Sequence, residues 1–157
     1  MQKITPFLWF DNNAEEAMNF YTSIFKDSKE VKVSRYPEGA PAPAGSVMVA
    51  EFELEGQRFI ALNGGPQFKF TEAVSFVVNC ETQEEIDYYW SKLTADGGAE
   101  SMCGWLRDKF GLSWQITPTI IYKLYSDDAA GAQRTMQAML QMKKLDIQKL
   151  QDAHDGK

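Results

Sequence analysis

A single histidine, His154, stands among the 157 residues of this chain, and it lies in the terminal tail. That count removes the Ser-His-Asp triad, the Cys-His pair and the two-histidine zinc helix as catalytic options. The two cysteines, Cys80 and Cys103, have no metal-ligand spacing and read as reduced thiols of a cytoplasmic protein. Cys103 precedes Gly104-Trp105. As a nucleophile it would need a cation to lower its pKa, and Arg107 is the near candidate in sequence; the alternative is a small inert side chain. Gly64-Gly65 follows a strand-like run, but Pro66 comes next and no helical pattern opens there. The pair reads as a turn rather than a nucleotide loop. What remains for chemistry is aromatic, amide and guanidinium side chains.

Charge and hydropathy narrow the partners. The net charge of −6 argues against nucleic acid, whose phosphates need clustered Lys and Arg. Lys143, Lys144 and Lys149 gather near the end, but Asp146 and Asp152 are interleaved, as on a solvated helix face. No apolar run approaches the ~18 residues of a membrane span, and the N-terminus lacks a basic-then-apolar signal. A hydrophobic content of 44% is enough for one core, or for two small modules sharing one.

The elements that would position such side chains come as a repeat. Asn13-Ala14-Glu15-Glu16-Ala17 opens a helical pattern that returns as Thr82-Gln83-Glu84-Glu85-Ile86. Each start is a cap residue with Glu three positions on, the signature of a capping box. Each then carries an apolar stripe, Ala17, Tyr21 and Ile24 or Ile86, Trp90 and Leu93. Strands are predicted over 4–10, 30–36, 46–54 and 57–62 in the first half, with a Pro/Gly-rich loop at 37–45 and a hairpin turn at Glu55-Gly56. The second half repeats the order, with strands over 73–79, near 100–102, over 105–107 and over 112–117. A long helix from Asp128 through Met142, a helical piece over 146–153 and a fraying tail after His154 complete the expectation. The fold class is α+β: two tandem β-α-β-β-β modules, about 1–63 and 72–118, forming curved half-barrel sheets, plus a C-terminal helical segment about 128–153, all in a single domain over 1–157.

Three stretches carry a resemblance to a known family: Ile4-Thr5-Pro6-Phe7-Leu8-Trp9-Phe10-Asp11 with Ala14–Ala17 and Phe20-Tyr21, the run Trp105–Ile116, and the closing Met142–Ile147. With the doubled module they resemble the PhnB-like branch of the vicinal oxygen chelate superfamily, whose members include glyoxalase I, bleomycin-resistance proteins and extradiol dioxygenases. The branch is often labelled 3-demethylubiquinone-9 3-methyltransferase-like. The resemblance implies a cavity against the concave face of each half-barrel, metal ligands on the first and last strands of each module in the metal-using relatives, and homodimers. The ligand positions fall at Thr5, Ile60, Ala73 and Gln115. Ile60 and Ala73 offer no donor atom, so the resemblance implies no metal here. Asp108 matches a family turn where the carboxylate caps backbone N–H groups.

If Thr5 faces inward, Phe7 and Trp9 share its side. Ser75 lies on the corresponding face of the second module, Gln115 shares a face with Ser113 and Thr117, and Trp105 and Arg107 lie on the adjoining strand. Thr5, Phe7, Trp9, Ser75, Trp105, Arg107 and Gln115 are therefore the expected ligand-binding set. They suit a planar or partly apolar small molecule held by a few polar groups. Trp9, Trp105 and Trp114 are alternatively core aromatics, and Phe68-Lys69-Phe70 either closes over a ligand or packs on the core. The Met-rich stripe of the last helices covers a sheet edge or meets a partner subunit. The expectation is a cytoplasmic homodimer that binds a small-molecule ligand without a cofactor, with no nucleic acid or membrane partner and no assigned catalytic residue. The alternatives are an enzyme, either of the glyoxalase or dioxygenase type or methyltransferase-like as labelled, and an adaptor acting through its last helices.

Overall fold

A computed structural model describes residues 2–157. They form two compact units that divide after Phe70. The first contains β1 (Phe7–Phe10), α1 (Ala14–Ile24), β2 (Ser28–Arg35), β3 (Val47–Leu54) and β4 (Gln57–Asn63). Its sheet has the order β1-β4-β3-β2, with β1 parallel to β4 and the other pairs antiparallel. The second contains β5 (Ser75–Cys80), α2 (Gln83–Thr94), β6 (Ala99–Glu100), β7 (Trp105–Arg107) and β8 (Ser113–Pro118). Its sheet, β5-β8-β7-β6, repeats the topology of the first. Both are open, curved sheets of the two-module α+β architecture expected from the repeat.

Each helix buries the stripe its spacing predicts. Ala17, Met18, Tyr21 and Ile24 of α1 lie in a core with Leu8, Phe10, Ala50, Phe52 and Phe59 of the sheet. Tyr21 stacks on Phe52 at 6.0 Å between ring centroids, and Phe52 on Phe59 at 5.6 Å. Ile86, Trp90 and Leu93 of α2 are buried in a core with Leu106, Trp114 and Ile116. Strand alternation turns the intervening residues to the opposite side of each sheet, where Ser113 is nevertheless buried.

The strand starts differ from expectation. β1 begins at Phe7 and β5 at Ser75, so Thr5 and Ala73 precede their strands. Pro6 bears on the first case: its ring has no N–H to donate to a ladder, and its carbonyl accepts from Ile60 N–H at 3.0 Å as the pairing opens.

The two capping boxes also part company. Thr82 Oγ1 accepts from Glu85 N–H at 3.2 Å, and Glu85 reaches back to Glu81 N–H at 2.6 Å. Asn13 makes no side-chain cap. Its place is taken from across the sheet by Asn63, at the end of β4, whose Oδ1 accepts from Ala14 N–H at 2.8 Å. Asn63 Nδ2 donates to Val47 O at 3.1 Å, and its carbonyl accepts from Tyr36 Oη–H at 2.6 Å. A long-range cap of this kind leaves no local sequence signature.

Three helices follow β8: α3 (Ile120–Ser126), α4 (Ala129–Met139) and α5 (Ile147–Asp155). The sequence pattern missed α3 and ran α4 three residues too far. Ile121, Leu124, Leu145 and Leu150 form their shared core. Gln83 of α2 ties them to the second module: its Nε2 donates to Leu145 O at 3.1 Å and its Oε1 accepts from Ile147 N–H at 2.9 Å. The expected fraying after His154 is not found. Gly156 N–H donates to Ala153 O at 3.1 Å and Lys157 N–H to Asp152 O at 2.9 Å, and His154 itself is buried in α5. No helix of the described residues is long and apolar enough to cross a membrane.

Asn63→Ala removes an acceptor and a donor that join α1, β3 and β4. The expected outcome is a loss of about 2 kcal/mol in urea unfolding. A loss below ~0.5 kcal/mol would mean that Asn63 does not hold the helix start.

Candidate functional site

Register decides what the open faces carry. In the second unit, Val77, Gln115 and Trp105 stand side by side across β5, β8 and β7. The adjoining row is Ser75, Ser113 and Arg107. All four residues expected on this module, Ser75, Trp105, Arg107 and Gln115, therefore share one face, opposite the side that buries Leu106, Trp114 and Ile116. Gln115 Nε2 donates to Ser75 Oγ at 2.9 Å, which fixes the amide across the two rows. Val77 is 45% exposed, an apolar patch beside the amide.

The first unit presents a matching face. Phe7, Ile60, Glu51 and Lys32 form one row and Trp9, Leu62, Val49 and Ser34 the next. Phe7 is 56% exposed. Trp9 is half-covered: its indole N–H donates to Gly65 O at 2.9 Å, and Phe68 meets it edge-on at 4.9 Å. A Cβ on Gly64 would lie 2.4 Å from the Trp9 ring, so that ring requires glycine there. The connector thus packs partly on the core, with Phe70 against Phe10 at 5.2 Å. Glu51 is engaged by an ion pair with Arg58. Thr5 lies just before this sheet.

The surrounding residues hold the second face in shape. Asp108 is buried; its Oδ1 accepts from Phe110 N–H at 2.9 Å and Leu112 N–H at 3.0 Å, and its Oδ2 from the Trp114 indole at 2.9 Å. It locks the turn between β7 and β8 and places Trp114, 3% exposed, in the core. Cys103 sits in the left-handed region at φ 61°. Its N–H donates to Met142 O at 2.7 Å, and Gly104 N–H donates to Lys143 O at 2.8 Å. The bend that delivers Trp105 to the face is therefore clamped by the segment after α4. Cys80, buried at the end of β5, has its thiol pushed up to about 12 by burial and by the charges of Glu85 and Glu81. It is a poor nucleophile.

One feature was missed in the sequence. A hollow of about 540 Å³ opens in the first unit beside Asp11, Glu15, Tyr36, Pro43, Asn63 and Gly65. The Pro/Gly-rich stretch at 37–45 was its sole local signal, and that stretch reads simply as a loop. The positions matched to metal ligands carry weak donors at most: Ile60 has none, Ala73 is exposed before β5, and Gln115 offers only an amide. Among the described residues, the His, Cys, Asp and Glu side chains that converge as ligands are Asp127, Asp128 and His154, in the helical segment and on neither sheet face.

An ordinary thiol ionises near 9.0, so raising Cys80 to about 12 means that unfolding releases a proton between those values. Stability conferred by the protonated thiol is complete below pH 9 and declines as pH rises towards 12. Cys80→Ala should flatten that decline relative to the parent chain in urea titrations at pH 8 and 10. A thiol reagent should label the native protein at Cys103 and reach Cys80 only on unfolding; native labelling that persists in Cys103→Ser would contradict this.

Comparison with known proteins places this geometry. Residues 2–117 match the family model described as 3-demethylubiquinone-9 3-methyltransferase. The match ends before Met142–Ile147, one of the three stretches that carry the resemblance. A putative 3-demethylubiquinone-9 3-methyltransferase, PhnB protein, from Bacillus cereus is 47% identical, with 75% of this chain and 100% of that chain covered and a TM-score of 0.69. Protein PA1353 from Pseudomonas aeruginosa shares the fold at 20% identity, TM-score 0.62, over 75% of this chain and 98% of its own. The fosfomycin resistance protein FosX from Mesorhizobium loti shares it at 11% identity, TM-score 0.54, over 74% and 91%. A search of curated proteins finds no match. The family model and the 47% identical PhnB protein show that the chain belongs to the 3-demethylubiquinone-9 3-methyltransferase family, in its PhnB-like branch, and the doubled module has the fold of the vicinal oxygen chelate superfamily.

Proposed function

We propose that this protein binds a small, planar or partly apolar organic molecule against the open sheet faces, as a sequestering or sensing module rather than an enzyme, and that it does so without a metal at those faces. The observation that carries the reading is the pair of adjoining rows Val77–Gln115–Trp105 and Ser75–Ser113–Arg107. They combine an indole, an apolar patch, an amide held by Ser75 and a guanidinium, the mixture expected of a small-molecule site. Arg107 suits a carboxylate or carbonyl on the ligand. Phe7 and Trp9 supply the aromatic part of the matching face on the first unit, with Thr5 at its margin.

The donor chemistry favours binding over catalysis. No His, Cys or carboxylate stands in the two rows, so they hold no general base near neutral pH and no ligand set for a transition metal. The methyltransferase in the family's description has no support from the Gly64-Gly65 loop, which leads through Pro66 towards β5 without opening a helix. We further propose a cytoplasmic homodimer, supported by the resemblance and by exposed Met136 on α4 and Leu140 at its C-cap.

Thermal-shift screening of aromatic acids, followed by titration and native mass spectrometry, tests the binding reading. Trp105→Ala and Gln115→Ala should each weaken the best hit by about tenfold, the scale of one lost packing or hydrogen-bonding contact. Affinity unchanged in both variants would move the site elsewhere, the hollow beside Asn63 being next to examine. In light scattering, the dimer reading requires twice the 17.8 kDa chain mass; a 17.8 kDa particle at micromolar concentration would end it.

A further inference from the structure

The three C-terminal helices bring together side chains that the sheet-face site does not use. Asp127 ends α3, and Asp128 caps α4, its Oδ1 accepting from Gly131 N–H at 2.6 Å. His154 comes from the last turn of α5. Its Nε2 lies 3.6 Å from Asp128 Oδ2 and 3.9 Å from Asp127 Oδ2, and the three potential ligand atoms all fall within 4.8 Å of one another.

The acidic pair alone would say little. The second observation is the imidazole itself. His154 is 8% exposed, and its Nε2 is buried without a hydrogen-bond partner. A buried polar atom without a partner requires a physical reason, and this one is aimed at two carboxylates too distant for a hydrogen bond. The separations suit a shared ion better. Zinc bonds of about 2.0–2.1 Å in tetrahedral geometry place ligand atoms roughly 3.3–3.4 Å apart, so small side-chain adjustments would close the set.

The surroundings support the same reading. Nδ1 of His154 lies 3.4 Å from Asp155 Oδ1, the carboxylate–imidazole arrangement that fixes a tautomer and leaves Nε2 to bind metal. Arg134 holds the end of α5, its Nε donating to Ala153 O at 2.9 Å and its Nη2 to His154 O. Gly131 leaves the space: a Cβ there would stand 2.5 Å from His154 Nε2 and 2.6 Å from Asp128 Oδ2. The exposed sides of both aspartates leave room for water ligands.

We propose that Asp127, Asp128 and His154 bind one divalent transition-metal ion of the zinc class, which clasps the end of α3, the start of α4 and the end of α5. The site stands apart from the proposed sheet-face ligand. It lies beyond residues 2–117, the part matched by the family model. An imidazole with two carboxylates selects Zn²⁺ or Co²⁺ over Mg²⁺.

The 157-residue chain, stripped with chelator, is titrated with Zn²⁺ by calorimetry and followed by ¹⁵N NMR. With one histidine in the chain, the imidazole signals are unambiguous. The expected result is one Zn²⁺ per chain, a shift of the Nε2 resonance and a raised unfolding midpoint. Asp127→Asn alters an exposed side chain, and Asp128→Ser keeps the helix cap; each should weaken binding at least about tenfold, as should His154→Gln. Cys103→Ser should leave binding intact. The proposal is overturned if millimolar Zn²⁺ leaves the imidazole resonances unmoved, if Asp127→Asn and Asp128→Ser bind Zn²⁺ as the parent does, or if Cys103→Ser abolishes uptake. Should His154→Gln fail to fold, the two aspartate variants decide the matter. Trp105→Ala serves as the control that keeps this site separate from the sheet-face ligand, since it should bind Zn²⁺ unchanged.

Discussion

The register of two central strands governs everything the open faces carry. β4 and β8 are each paired on both edges, in parallel with the first strand of their module and antiparallel to the hairpin strand. A slip of one residue would send Phe59 and Ala61, or Trp114 and Ile116, to solvent and bring Ile60 or Gln115 into the core. The cost of exposing those apolar side chains is what holds Gln115 between Val77 and Trp105. The chemistry of the face is thus a by-product of core packing on its other side.

Long-range polar contacts complete what the register begins. Asn63 closes the first module by capping α1 from the end of β4, and Asp108 closes the second by gathering two backbone N–H groups and the Trp114 indole. Both are short polar side chains placed at strand ends, where the backbone has orphan donors. The C-terminal helices extend the same logic. Gln83 and the main chain at Met142 and Lys143 fasten them to the module that bears Trp105. Changes in that segment can therefore reach the sheet face through the Cys103-Gly104 bend.

The two modules have diverged in chemistry while keeping one topology. At matching places in their rows, Phe7, Ile60 and Glu51 stand where the second module has Val77, Gln115 and Trp105. The first face has an ion pair between Glu51 and Arg58, whereas the second has an amide bonded to Ser75. Neither face carries a histidine. The chain's one imidazole lies instead among the helices beyond the family-matched region.

The sequence by itself determined the doubled β-α-β-β-β order, the buried stripes of α1 and α2, and, within single strands, the sides that Gln115 shares with Ser113 and Thr117 and that Ser75 shares with Val77; the pairing that brings Trp105 and Arg107 beside them is tertiary. The sequence-determined features follow from periodicity, and a period of 2 or 3.6 residues is readable along the chain. Only the tertiary structure decided that Asn63 rather than Asn13 caps α1, that Thr5 and Ala73 fall before their strands, and that α3 exists. It also decided that His154, expected in the terminal tail, is buried beside Asp127 and Asp128. Each of these depends on residues distant in sequence meeting in space, and no local pattern encodes which helix end will face which side chain.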